Sequence, residues 1–327
     1  MKIDKKTIIF RADAGSHIGM GHFIRSLALA EMLKDNFYCI FATCNPSGYQ
    51  IEEIERVCDA RIDLPDDGSH FSVFLEHLNG DEIVVLDNYF FDTNYQRTVR
   101  EKGCKLICID DLHDKHYVAD IVINHAITDE SLFDVEHYTN LFLGLDYALI
   151  RKEFRQLKTS SEKRKGIILC LGGSDFNGLS IRILKHLIKS RLNVGTDISV
   201  VVGSANKDAS LIKVFCDSQG INFFMNLSAS EMCLLFDTCE FGIFPTSTIM
   251  IEALYRGLNV IGGYYVDNQM EFYDVLADAG FIHPIGNLNS PEACQKINSF
   301  LFQRKTSLAK PVLNNDLRRL VDCVSLL

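Results

Sequence analysis

The chain has 327 residues, 47% hydrophobic and 23% charged, a globular composition that excludes wholesale disorder and allows one large or two ordinary domains. Its 33 Lys and Arg against 43 Asp and Glu give a formal net charge of −10. That sign argues against a general nucleic-acid or anionic-membrane binder, but not against one phosphate-bearing ligand held by backbone amides at a helix end.

Short apolar runs alternate with helical patterns almost throughout. Residues 7–10 read as a strand, followed by a glycine-rich loop, an amphipathic helix over 23–34 and a second strand over 37–42. Residues 83–86 and 105–109 are continuous apolar runs, as expected of parallel strands covered on both faces. Residues 151–165, with seven basic side chains and few apolar ones, read as an interdomain linker. The pattern then restarts. Strands are expected over 166–171, 198–202, 221–224, 241–244 and 260–263, separated by helices over 177–189, 229–236, 248–256 and 268–279. A last helix over 316–326 could pack on either half. The reading is an α/β protein of two Rossmann-like domains, 1–155 and 156–327, with a ligand cleft between them. The 11 cysteines show no Cys-x-x-Cys spacing, and neither a signal peptide nor a spanning apolar stretch is evident, so free thiols in a cytoplasmic protein without membrane insertion are expected.

In open α/β sheets ligands lie beyond the carboxyl ends of the strands, so the loops leaving each strand are the candidates. The first, from Arg11 to His22, carries Gly15, Gly19 and Gly21. It lacks the Gly-Lys-Ser/Thr of a P-loop, and Ile24 stands where a dinucleotide fingerprint needs Gly or Ala. His22 falls in the first turn of the following helix, where the dipole favours a neutral ring able to accept a proton. A general base and a capping or packing histidine are both open there. Asp87-Asn88-Tyr89 is another polar strand exit, with Tyr89 as a rim aromatic. The run from Asp110 to His116 holds three Asp and two His. It reads as a solvated loop with a capping Asp rather than a metal site, since metal ligands usually come from rigid elements with a common face. In the second half, Gly172-Gly173-Ser174-Asp175 suits either a diphosphate or an ordinary strand–helix turn. The loop from Phe244 to Thr248 opens a helix on which Glu252 shares a face with Thr248; Glu252 reads as a ribose acceptor or as a surface carboxylate.

Together these segments resemble a known family. Arg11-x-Asp13, Gly19-x-Gly21-His22-x-x-Arg25, Asp87-Asn88-Tyr89, Ile109-Asp110-Asp111-Leu112, Leu143 to Phe154 with Tyr147 and Arg151, Gly172-Gly173-Ser174-Asp175 and Asp267-Asn268-Gln269 occur in that order. They are similar to the UDP-2,4-diacetamido-2,4,6-trideoxy-β-L-altropyranose hydrolases of pseudaminic acid biosynthesis. The resemblance implies a GT-B fold, with the sugar on the N-terminal domain and UDP on the C-terminal one. It implies His22 as the base that activates water for inverting hydrolysis, without metal or other cofactor. Substrate contacts would come from Arg11, Asp13, Gly19, Gly21, Tyr89, Arg151, Gly173, Ser174, Ser247, Thr248, Glu252, Asn268 and Gln269. One departure concerns Pro245, which stands where many members carry glycine and has no amide to donate. Phosphate contact is then expected from Thr246, Ser247 and Thr248. The competing readings are a GT-B glycosyltransferase using a UDP-sugar donor and a non-catalytic nucleotide-sugar-binding subunit. No oligomeric state follows from the sequence.

Overall fold

The computed structural model describes residues 5–15, 18–155, 164–172, 178–190, 196–203, 206–303, 308–309 and 317–327. It falls into two compact units. One is formed by His22–Leu149 with the first strand and the last helix, the other by Ile150–Val312 with the glycine loop Gly15–Gly21.

In the first unit the elements run β1 (Thr7–Ala12), α1 (Gly21–Leu33), β2 (Tyr38–Cys44), α2 (Gly48–Val57), β3 (Ala60–Leu64), α3 (His70–Glu76), β4 (Ile83–Asp87), α4 (Thr93–Glu101), β5 (Lys105–Ile109), β6 (His116–Tyr117), β7 (Ile121–Asn124), β8 (Asp134–Val135) and β9 (Asn140–Leu143). Seven strands form a sheet in the order β3-β2-β1-β4-β5-β7-β9, and the pairings within it are parallel. β4 is buried at every residue, Asp87 included. Its apolar run stabilises the sheet by burial, about 1.5–3 kcal/mol for each large aliphatic side chain. α2 starts where Ser47 and Gln50 cap each other reciprocally.

The second unit contains α5 (Lys152–Arg155), β10 (Ile167–Leu169), α6 (Leu179–Lys189), β11 (Ile198–Val202), α7 (Ala209–Gln219), β12 (Asn222–Met225), α8 (Ala229–Thr238), β13 (Phe241–Pro245), α9 (Thr248–Tyr255), β14 (Asn259–Tyr264), α10 (Met270–Asp278), β15 (His283–Asn287) and α11 (Pro291–Gln303). Its six-stranded sheet has the order β12-β11-β10-β13-β14-β15. α6 buries Leu179, Ile183, Leu184 and Leu187, one stripe at helical spacing, against a core that includes Val200, Ile243 and Ile261. The final helix, α12 (Leu317–Ser325), belongs to the first unit, where Arg319 lies over the Phe142 ring.

Each sheet therefore reverses its winding once, between β1 and β4 and between β10 and β13. In doubly wound folds the loops at such a reversal form the binding site. The linker reading of 151–165 is corrected at its start. Arg151 is buried, α5 follows at once, and Phe154 packs on Phe236, because the apolar Phe154 and the Arg151 charge both find partners in the second unit. The eleven cysteines are free thiols, most of them buried. No described helix is long and apolar enough to cross a membrane.

Candidate active site

At the first reversal, Ala12 of β1 pairs in register with Asp87 of β4. The chain leaves β1 through the glycine loop, where Gly15 and Gly19 bond to each other and Gly19 has φ +81°, a left-handed conformation that suits glycine. α1 then begins at Gly21, and His22 in its first turn points back over the strand ends. Its Nδ1 lies 2.7 Å from Asp87 Oδ1. Arg25, one turn further along, grips the same carboxylate twice, Nε to Oδ2 at 2.7 Å and Nη2 to Oδ1 at 2.5 Å, while Ser26 donates to Oδ2 at 3.0 Å. Burial by itself raises the Asp87 carboxyl, but Arg25 and then His22 outweigh it, and the group sits below its ordinary value. An ionised Asp87 accepts from Nδ1–H, which leaves the lone pair of His22 on Nε2. That nitrogen has no hydrogen-bond partner among the described residues. His22 is only 4% exposed and lines a cavity with Asn88, Tyr89, Asp111 and Lys115; the Tyr89 ring stands edge-on to the imidazole at 4.6 Å. Asn88 accepts from the Asp13 amide, and its buried Nδ2 has no partner among the described residues.

The reading of Asp110–His116 as a solvated loop is overturned for its first two residues. Asp110 is buried and accepts from Tyr117, Asn124 and the amides of Leu112 and His113, which fixes the turn after β5. Asp111 is ion-paired with Arg25 and accepts from the Tyr89 hydroxyl at 3.0 Å. Burial pushes its carboxyl up, but Arg25 and then His125 pull it well below the ordinary range. Arg25, held between β4 and β5 exits, supplies the positive charge that draws Asp111 inward. His125, which follows β7, lies 3.9 Å from Asp111, and burial pushes it down to about 4 against the pull of that carboxylate. Asp87, Arg25 and Asp111 as members of one network, and His125 altogether, escaped the sequence reading. The Asp87 and Asp110-Asp111 strand exits were the available signal. Among the described residues no group of three His, Cys, Asp or Glu is arranged to hold a metal ion.

Arg11 and Asp13 are expected substrate contacts, but the structure closes Arg11 off completely. It is fully buried, bonded to Asp13 at 2.5 Å, 3.0 Å from His70 Nδ1 and flanked by the Phe90 and Phe91 rings. Asp13 in turn accepts from Thr43 and the Cys44 amide, and burial that would raise its carboxyl is outweighed by Arg11. The pair ties β1 to β2; an Arg on an inward strand position needs such a counter-charge.

At the second reversal, Gly173 and Ser174 lie outside the described residues. Thr246 is corrected as a phosphate ligand: its amide and its hydroxyl both bond to the Gly263 carbonyl across the β13–β14 edge. Ser247 and Thr248 open α9, where Ser247 makes no side-chain cap bond and its carbonyl accepts from the Met250 amide at 2.9 Å. Gly21 lies beside them, its Cβ direction 3.6 Å from Thr248 Oγ1. Glu252 is not a surface carboxylate. It is 0% exposed and accepts two parallel bonds from Arg151, Nε and Nη2, at 2.8 Å each. Asn268 is exposed in the short turn before α10, while Gln269 braces that turn by accepting from the Tyr265 amide at 3.1 Å.

No family model matches the chain. It is 28% identical over 279 residues to the UDP-2,4-diacetamido-2,4,6-trideoxy-β-L-altropyranose hydrolase of Campylobacter jejuni, a match that spans 84% of this chain and 97% of that one. The chain is similar to a UDP-sugar hydrolase. Among solved structures, the UDP complex of S. aureus MnaA superposes with a TM-score of 0.68 at 9% identity, covering 98% of this chain and 96% of that one. MurG of Acinetobacter baumannii does so with a TM-score of 0.60 at 13% identity, covering 99% and 100%. These likenesses carry the fold, which is of the GT-B type with one Rossmann-like sheet per unit.

Proposed function

We propose that the chain hydrolyses a UDP-linked 2,4-diacetamido-2,4,6-trideoxy sugar, with inversion at the anomeric carbon, in nonulosonic (pseudaminic) acid biosynthesis. The observation that carries the reading is the His22–Asp87 dyad, with Nε2 open beside a cavity; the similarity to the Campylobacter hydrolase supports the substrate class. In this reading Nε2 removes a proton from water as the oxygen bonds to the anomeric carbon. The bond from that carbon to the UDP oxygen breaks on the opposite face, and UDP leaves with the electron pair. The imidazolium formed is stabilised by Asp87 and later loses its proton to solvent. A positioned base of this kind contributes roughly 10²–10⁴-fold. Tyr89 borders the sugar, and the unfilled Asn88 amide donor takes one of its oxygens.

The second unit supplies the nucleotide contacts. Diphosphate charge falls on the amides of Ser247 and Thr248 at the start of α9, with the glycines Gly19 and Gly21 as further contacts. Each Glu252 oxygen keeps a lone pair beyond the one given to Arg151, but the residue is 0% exposed, so a ribose reaches it only if the ligand displaces its cover. Asn268 and Gln269 border the same ligand.

The test is incubation with a panel of UDP-sugars and no acceptor, following UDP and the product anomer by NMR. Release of UDP with the opposite anomer supports hydrolysis. Release only when an alcohol is added makes the chain a transferase, and binding without release makes it a nucleotide-sugar-binding subunit.

A further inference from the structure

We infer that Asp111 is a positioning residue that sets the tautomer of His22, acting through Arg25 and Tyr89. The proposal rests on the reading of His22 as the base. Nδ1 of His22 has two neighbours with opposite demands. Asp87 Oδ1, at 2.7 Å, can only accept, and Arg25 Nη2, at 3.0 Å, can only donate. If Nδ1 carries the proton, it donates to Asp87 and leaves Nε2 basic. If Arg25 turns its Nη2 onto Nδ1, the proton moves to Nε2, and the cavity faces an N–H that cannot accept a proton from water.

Asp111 decides between the two. It anchors the Nη1 arm of Arg25, so the guanidinium is stretched between two carboxylates and keeps Nε and Nη2 on Asp87. It also accepts from the Tyr89 hydroxyl at 3.0 Å, and the Tyr89 ring stands edge-on to the imidazole, so the same carboxylate limits rotation of His22. Asp111 does not bond to His22, and its side chain is 19% exposed against 0% for Asp87, as suits an outer brace. A wrong tautomer at a histidine base removes most of its catalytic worth while leaving the fold intact.

The test reads the tautomer directly. In protein labelled with ¹⁵N-histidine, the signals of His22, assigned by their loss in His22→Phe, show which nitrogen of the neutral ring carries the proton. Wild type is expected to carry it on Nδ1. Asp111→Ala is expected to transfer at least about half of the population to Nε2–H, and Asp111→Asn, which keeps an acceptor for Arg25, to lie between. kcat should fall at least about ten-fold in Asp111→Ala and recover in part in Asp111→Asn, with KM little changed. Should Asp111→Ala not fold, Asp111→Asn together with Tyr89→Phe carries the comparison. A ring that stays Nδ1–H in every folded variant overturns the proposal, even if the wild type hydrolyses UDP-sugars. A tautomer that switches in a protein that releases no UDP supports the proposal and sinks the functional reading instead.

Discussion

His22 combines a helix-start position, a buried carboxylate on one ring nitrogen and a cavity at the other. Replacing it with Phe keeps volume and burial but removes the proposed base. His22→Phe is expected to lower kcat by about 10²-fold or more, while the calorimetric dissociation constant for UDP stays within about two-fold of wild type. Retention of more than about a tenth of kcat would show that another group takes the proton. His125 makes a second prediction. Its ordinary value is 6.5 and burial brings it to about 4 in the folded chain. Between those limits the unfolded chain binds more protons, so the contribution to stability is complete above pH 6.5 and is lost as pH falls towards 4. The unfolding free energy from urea titrations should drop across that window by up to about 1.4 kcal/mol per pH unit from this residue, and His125→Gln should flatten the slope. An unchanged slope would mean that His125 is not the titrating group.

Helix α9 buries its Glu252 because Arg151 arrives to meet it. Removing only the carboxylate leaves a buried guanidinium without its counter-charge, which costs about 3–5 kcal/mol. Glu252→Ala should lower the thermal midpoint clearly, and the double variant Arg151→Met, Glu252→Leu should recover much of it. The double variant also tests the proposed nucleotide contact of this pair. UDP binding weakened by one to three orders of magnitude in a stable protein, on the scale of charge-assisted bonds, supports it; equal affinity removes Glu252 from the nucleotide site. Element by element, β4 and β5 were legible as continuous apolar runs. The inner strand β7, only four residues long, and β3 and β9, at the two ends of the first sheet, were not. Edge strands such as Ala60–Leu64, with intermediate or exposed residues at four of five positions, lack that signal. The helix α2 carried a signal that was overlooked, the Ser47 and Gln50 capping pair.

For the molecule as a whole, leaving-group charge in the proposed reaction falls on amides of the second unit. UDP release should therefore survive exhaustive EDTA treatment; loss of activity restored by one divalent cation would require a metal in the mechanism. The sequence alone determined the α/β alternation, the restart in the second half, the glycine loop ending in His22 and the Ser/Thr loop opening α9, since each depends on neighbours in the chain. It also placed Asp87, Asp111, Arg151 and Glu252 in notable motifs without saying which protein groups each would meet. The tertiary structure decided that His22 meets Asp87 across 65 residues, that Arg25 meets Asp111 across 86, and that Arg151 meets Glu252 across 101. Strand order brings these groups together at the sheet reversals, and burial then obliges each charge to find an opposite one. Both depend on distances in space that local patterning does not encode.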